Sequence, residues 1–165
     1  MPFVGSTKDV EALTLTFVAE FPATVERVWR LWEDPRQLER WWGPPGFPAT
    51  FTRHDFTVPG RSVYYMTSPE GVRHYGWWAF ESIAPPRSLE LVDGFGDEQG
   101  NPAPEMPAPS ESAVTIEPTD SGARLTIVST FSSAEQLEAL VEMGMEEGMR
   151  QSLDQIDALL AESAG

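Results

Sequence analysis

The chain has 165 residues, of which 26 are acidic and 11 basic, and its net charge is −15 at pH 7. This charge argues against binding to nucleic-acid phosphates or to anionic membrane surfaces. The chain has no cysteine, which excludes disulfides, cysteine–zinc sites, iron–sulfur clusters and thiol catalysis. The length favours a single domain over residues 1–165, with a core from about residue 11 to residue 162.

The amino-terminal segment has no basic flank followed by an apolar core, so it does not have the pattern of a signal peptide. No apolar run approaches the roughly 20 residues that a membrane span needs. We therefore expect a cytoplasmic protein that binds neither membrane nor nucleic acid.

The first elements are a strand and two short helices. Apolar and β-branched residues alternate over Glu11–Phe21, which predicts a strand. Apolar residues at helical spacing follow, with Thr24 as N-cap. Asp34 and Pro35 end this helix and begin a second one, because the residue before proline avoids the α region and proline suits the first helical position. The second helix ends at Gly43.

The rest of the chain predicts a sheet and a long helix. Six further segments have strand patterns: Ala49–Thr57, Arg61–Thr67, Val72–Ile83, Ser88–Phe95, Ser112–Glu117 and Ala123–Phe131. Short links predict antiparallel hairpins, except for Gly94–Ser110, which is either a lid or a disordered loop. A capping box of Ser132 and Glu135 begins one amphipathic helix that runs to about Glu162. The fold class is therefore α+β, a curved antiparallel sheet of six to seven strands around a long C-terminal helix.

The register of the middle three strands predicts which side chains face this helix. Tight turns would align three rows: Thr52–Met66–His74, His54–Tyr64–Gly76 and Phe56–Ser62–Trp78. The opposite face, which includes Val63 and Trp77, would be exposed. An apolar surface with a few polar groups is typical of a small-molecule site.

The two histidines have two interpretations. Each is either a core residue bonded to tyrosine or backbone, or a catalytic acid–base with Asp93 as its orienting partner. Two histidines without clustered carboxylates make a poor metal site, and no spacing typical of metal ligands occurs. No motif for a nucleotide cofactor or a hydrolase nucleophile is present, so we expect no cofactor.

Two other features bear on a cavity. Gly144 and Gly148 share one face of the predicted helix, which indicates either close packing on a strand or room for a ligand. Trp41 and Trp42 precede the segment Gly43–Gly46, which reverses the chain. We expect one tryptophan to pack in the core and its neighbour to face a cavity mouth, although both could instead plug the end of the sheet.

Several stretches of the sequence resemble one protein family. They are "FPATVERVWRLWEDPRQLERWWGPPGF", "PEG", "APPRSLEL" and "GMEEGMRQSLDQIDALL". The chain resembles the START-like (SRPBCC) helix-grip superfamily, and within it the proteins named after the C-terminal domain of the heat-shock-chaperone ATPase activator. The resemblance spans about residues 13–160. It departs at Pro59-Gly60, where the family commonly has a glycine pair.

The resemblance implies a helix-grip fold with an apolar cavity between sheet and helix, but it implies no single activity. The candidate cavity residues are Trp42, His54, Phe56, Tyr64, Met66, His74, Trp78, Phe80, Asp93, Phe95, Met145 and Met149. Binding of an apolar or aromatic small molecule is the leading interpretation. The alternatives are an enzyme of the polyketide cyclase or hydrolase type and a chaperone ATPase co-regulator with a chaperone contact. A homodimer is compatible with the sequence.

Overall fold

The computed structural model describes residues 3–103 and 109–162. The strands are β1 (Phe3–Asp9), β2 (Thr14–Phe21), β3 (Ala49–His54), β4 (Arg61–Thr67), β5 (Arg73–Ala84), β6 (Ser88–Phe95), β7 (Ser110–Thr119) and β8 (Gly122–Thr130). The helices are α1 (Val25–Glu33), α2 (Pro35–Trp41), α3 (Ala134–Glu142), α4 (Met145–Asp154) and α5 (Ile156–Glu162). All predicted strands are present, with ends that differ by up to three residues.

The eight strands form one antiparallel sheet in the order β1-β2-β8-β7-β6-β5-β4-β3. The predicted α+β helix-grip fold, with a curved sheet and a C-terminal helical region, is confirmed. The strand number of six to seven was too low because the sequence analysis missed β1. That strand lies at the sheet edge and is almost wholly exposed, so it carries no alternation of buried and exposed residues from which to predict it.

The two short helices begin and end as predicted. The Thr24 hydroxyl accepts a hydrogen bond from the Arg27 backbone N–H at 3.1 Å, which caps α1. The Asp34 carboxylate caps α2 by accepting from the Arg36 backbone N–H at 2.9 Å, and Pro35 takes the first helical position.

The predicted register is right for one strand pair and wrong for the other. In β4–β5, Met66 pairs with His74, and Ser62 pairs with Trp78, as expected. In β3–β4, Ala49 rather than Thr52 pairs with Met66, and His54 rather than Phe56 pairs with Ser62. Strand β3 ends at His54, and a bulge between Phe51 and Arg53 interrupts the ladder. The connection is therefore longer than the tight turn assumed. The bulge adds one residue to β3, which returns the His54 side chain to the core face.

The outer face of the sheet is covered where exposure was predicted. Val63 is 8% exposed and Trp77 is 7% exposed. The first part of the proline-rich connection between β6 and β7, residues 96–103, folds back over these two side chains. The Trp77 indole N–H donates to the Phe95 carbonyl at 3.1 Å. Residues 96–103 therefore pack against the outer face of the sheet. Residues 104–108 of the same connection lie outside the described residues.

The C-terminal helical region is not one helix. It consists of α3, α4 and α5, and the chain turns between α3 and α4 at Gly144, whose φ is +89°. This left-handed conformation is open to glycine at little cost and ends α3. The predicted cap is also displaced by one residue, because the Ser133 hydroxyl caps α3 by accepting from the Gln136 N–H at 3.1 Å.

Candidate functional site

A pocket opens between the concave face of the sheet and the C-terminal helical region. This central pocket has a volume of about 280 Å³. Strands β4 and β6 form one wall, the end of α2 forms another, and the α3–α4 turn with α4 covers it. The lining residues are Trp42, Tyr64, Met66, Asp93, Gly94, Phe95, Ser110, Leu140, Met143, Gly144, Met145 and Met149.

The central pocket continues in two directions. Outward, it shares Met66, Phe95 and Met143 with a wider recess of about 540 Å³. Inward, it shares Asp93 and Trp42 with a small recess of about 20 Å³, which also borders Trp32, Trp78, Ser112 and Ser129. The outer recess is open and broad, whereas the inner recess is close to the size of one water molecule.

Tyr64 and Asp93 form the polar centre of the pocket. Tyr64 on β4 lies across from Gly76 on β5, and its ring occupies the space where a Cβ on Gly76 would stand, at 2.4 Å. Glycine therefore lets the ring lie flat over β5. The Tyr64 hydroxyl then donates to an Asp93 carboxylate oxygen on β6 at 3.4 Å.

Both members of this pair are hard to ionise. Burial raises the pKa of Asp93 to about 7, although the hydrogen bond from Tyr64 acts in the opposite direction. Burial, and then the charge of Asp93, raise the pKa of Tyr64 well above its usual value. The pair therefore holds a carboxyl that changes its charge near neutral pH, inside an otherwise apolar pocket.

Several indole N–H groups next to this pair have no partner. Trp42 and Trp78 are 9% and 1% exposed, and among the described residues neither indole N–H makes a hydrogen bond. Both lie close enough to the Tyr64 hydroxyl to lower its pKa, and Trp78 also lowers the pKa of Asp93. The inner end of the pocket is therefore lined with indole donors that lie near the Tyr64 hydroxyl and the Asp93 carboxyl without reaching hydrogen-bond geometry.

The two adjacent tryptophans have different environments. Trp41 is fully buried, and its indole N–H donates to the Leu31 carbonyl at 3.0 Å, so it belongs to the core. Trp42 lines the pocket. The chain turns at Gly43, where φ is +107° and a Cβ would lie 2.3 Å from the Phe47 carbonyl oxygen, so only glycine fits. The Gln155 side chain holds this turn by donating to the Gly43 carbonyl at 2.8 Å.

The glycines of the helical region leave space rather than allowing close packing. A Cβ on Gly144 would meet nothing within 4 Å, and one on Gly148 would meet only the Pro44 ring at 4.0 Å. The interpretation that they pack a helix tightly on a strand is therefore wrong. Gly144 borders the central pocket, and the flexible side chains of Met145 and Met149 form its roof.

The structure distributes the twelve candidate residues over four places. Those that line the central pocket are Trp42, Tyr64, Met66, Asp93, Phe95, Met145 and Met149. Trp78 borders the inner recess, and His74 is exposed at the outer recess. His54, Phe56 and Phe80 pack together elsewhere in the interior.

His54 is bonded as a structural residue. Its two ring nitrogens lie 2.7 Å from the Ser62 hydroxyl and 2.9 Å from the Trp32 carbonyl oxygen. Burial lowers its pKa, which favours the neutral ring. The alternative that paired Asp93 with a histidine does not hold, because Asp93 pairs with Tyr64, His54 is bonded to other groups and His74 is exposed at the outer recess.

Sequence reasoning missed Ser110 and Leu140 as pocket residues. Ser110 begins β7 at the end of the proline-rich connection, and no alternation of apolar and polar residues there predicts which way its side chain points. Leu140 is one of the apolar residues of the predicted C-terminal helix, and only the turn at Gly144 shows that it borders a space.

Within residues 3–103 and 109–162 there is no group of three or more histidine, aspartate or glutamate side chains placed to hold a metal ion. No helix in this part of the chain is long and apolar enough to cross a membrane.

Comparison with known proteins identifies the family. The model of the "Activator of Hsp90 ATPase homolog 1-like protein" family (AHSA1) matches residues 22–161. The chain belongs to the AHSA1 family. No curated protein is significantly similar in sequence.

Solved structures of bacterial proteins share the fold. The solution NMR structure of a protein from Arthrobacter aurescens is 55% identical over 96% of this chain and 92% of that chain, with a TM-score of 0.91. The crystal structure of protein Ms6760 from Mycobacterium smegmatis is 43% identical over 96% of this chain and 97% of that chain, with a TM-score of 0.89. Protein CV1439 from Chromobacterium violaceum is 26% identical over 89% of this chain and 96% of that chain, with a TM-score of 0.76.

Proposed function

We propose that this AHSA1-family protein binds an apolar or aromatic small molecule in the central pocket. The observation that carries the proposal is the pocket itself, a space lined by aromatic and methionine side chains around one polar pair. Small-molecule sites are typically concave spaces of roughly 300–1,000 Å³ with few polar groups. The central pocket, at about 280 Å³, approaches this range alone, and it enters the range together with the adjoining outer recess.

The methionines support a ligand of this type. Met66, Met145 and Met149 surround the space, and their unbranched thioethers adapt to differently shaped apolar contents and contact aromatic rings favourably. The family name refers to activation of a chaperone ATPase, whereas the pocket favours small-molecule binding. We therefore place the chaperone contact second.

Uptake of Nile red, a neutral apolar dye, tests the proposal. We expect the dye's emission to rise and shift to the blue with the wild-type protein. Met149→Trp should weaken dye binding by at least about tenfold, because the larger side chain would occupy space in the pocket that the dye needs. Val4→Trp adds the same side chain on exposed β1, away from the pocket, and should leave binding unchanged. Absence of uptake, or equal uptake by Met149→Trp, would overturn the proposal.

A further inference from the structure

We propose that the inner end of the central pocket binds a neutral carbonyl oxygen carried by an aromatic ligand, through the indole N–H groups of Trp42 and Trp78 and the carboxyl of Asp93. This inference rests on the proposed function and names the chemistry of its ligand.

The first reason is the surplus of donors. The indole N–H of tryptophan can only donate, and a buried donor without an acceptor is costly. Trp41 and Trp77 each donate to a backbone carbonyl, whereas Trp32, Trp42 and Trp78 have no acceptor at hydrogen-bond geometry within the described residues. All three unpaired indoles border the same space beside Asp93, and Trp42 and Trp78 lie nearest to its polar pair. A ligand oxygen there would supply the missing acceptor.

The second reason is charge. In the part of the chain that the structure describes, no lysine, arginine or histidine lines the central pocket or the inner recess. Arg73 and His74 border only the outer recess. A ligand carboxylate would therefore be buried with no cation to compensate its charge, which is costly, and it would also repel the Asp93 carboxyl whenever that group is ionised. The site therefore selects a neutral group.

The third reason is the state of Asp93. Among the described residues, its only titratable neighbour at the pocket is Tyr64 on β4, while β5, β7, β8 and α4 present Trp78, the serines and the methionines. Because burial raises the pKa of Asp93 to about 7, the carboxyl carries a proton over much of the range below neutrality and can donate it in a hydrogen bond. A carbonyl, which only accepts, matches this set of donors.

NMR of the indole N–H groups tests the contact directly. The six tryptophans give six indole signals, and the probes are 2-acetylnaphthalene and 2-isopropylnaphthalene, which have similar shapes but only one carbonyl. At pH 6 we expect the ketone to move the signals of Trp42 and Trp78 downfield, because a hydrogen bond deshields the proton, and the hydrocarbon to leave both without that shift. The bonded indoles of Trp41 and Trp77 serve as internal references.

Affinities measured by calorimetry sharpen the test. The ketone should bind about three- to tenfold more tightly than the hydrocarbon at pH 6. Trp78→Phe should remove most of that preference. The matched control is Trp29→Phe, which also deletes a buried unpaired indole N–H but one that borders neither the central pocket nor the inner recess, and it should retain the preference.

The preference should also depend on pH. Ionisation of Asp93 removes its donor, so the affinity for the ketone should fall between pH 6 and pH 8, whereas Asp93→Asn retains an N–H donor and should bind with little pH dependence. Equal affinity for both probes, or indole signals that do not respond to bound ketone, would overturn the carbonyl site while leaving the proposed function intact. Failure of both naphthalenes and of Nile red to bind would overturn the proposed function as well.

Discussion

Two regions on the same concave face differ in how they are packed. In the first, which we call the closed region, Trp29, His54, Phe56 and Phe80 contact one another with ring centroids 5.3 to 5.9 Å apart, and both nitrogens of His54 are bonded. In the second, the central pocket, aromatic rings and thioethers surround a space of about 280 Å³. The sheet is continuous between the two regions, so the difference arises from side chains and not from the fold.

The contrast separates stability from binding. The closed region uses rigid rings and a satisfied histidine, which gives dense packing. The pocket contains thioethers, a glycine turn, unpaired indoles and a carboxyl that is costly to ionise. Each of these lowers the stability of the folded protein relative to a densely packed core. Residues that lower the stability of an empty protein without an evident structural gain are typical of functional sites.

The largest expected difference lies between large-to-small substitutions in the two regions. Phe80→Ala should lower the free energy of unfolding by about 3–5 kcal/mol, because Phe80 is 3% exposed and its removal creates a cavity inside dense packing. Met149→Ala should cost about 1 kcal/mol or less, because part of its surface already faces empty space. Urea denaturation measures both values. Similar losses for the two variants would mean that the pocket is packed as densely as the closed region.

The charge of Asp93 gives the next largest difference. Its pKa is about 7 in the folded protein and about 3.9 in an unfolded chain, so the folded state binds the proton more strongly. The resulting stabilisation is complete below pH 4 and is lost as pH rises to 7. Relative to wild type, Asp93→Asn should therefore gain roughly 2–3 kcal/mol of stability as the pH rises from 5 to 8.

The pH dependence of the wild type alone would not isolate Asp93. Burial lowers the pKa of His54, so its contribution has the opposite sign and is lost as pH falls below about 6.5. Since His54 is present in both proteins, its contribution cancels in the difference between variant and wild type. A difference that stays constant from pH 5 to pH 8 would show that the folded protein does not shift the titration of Asp93.

Periodicity predicted most of the fold because most elements bury one face. The α1 helix and strands β4 and β6 carry clear apolar patterns and cap or turn residues, and their positions were right. Strand β1 could not be predicted because almost none of its side chains is buried, so its sequence carries no apolar alternation. The β3–β4 register failed because one bulge residue changes which side chains face each other, and no residue type marks the bulge.

The candidate site could be predicted only in part. Trp42, Tyr64 and Asp93 belong to elements whose inward direction follows from alternation or from the end of a helix. The division between pocket and closed region does not follow from the sequence, since His54 and Phe80 have the same pattern as Tyr64 and Phe95. It depends on which rings reach each other across the sheet and on where Gly144 turns the chain.

The smallest expected effects come from the two glycines that sequence analysis treated as equivalent. Gly144→Ala should destabilise by about 1 kcal/mol, because its φ of +89° is strained for alanine although nothing lies within 4 Å of the new Cβ. Gly148→Ala should stabilise by about 0.5–1 kcal/mol, because this position lies within α4 and the nearest atom, in Pro44, is 4.0 Å away. Urea denaturation of both variants gives the comparison. Stabilisation by both alanines would instead indicate that the helix runs uninterrupted through Gly144, and the turn that bounds the pocket beside α4 would then be absent.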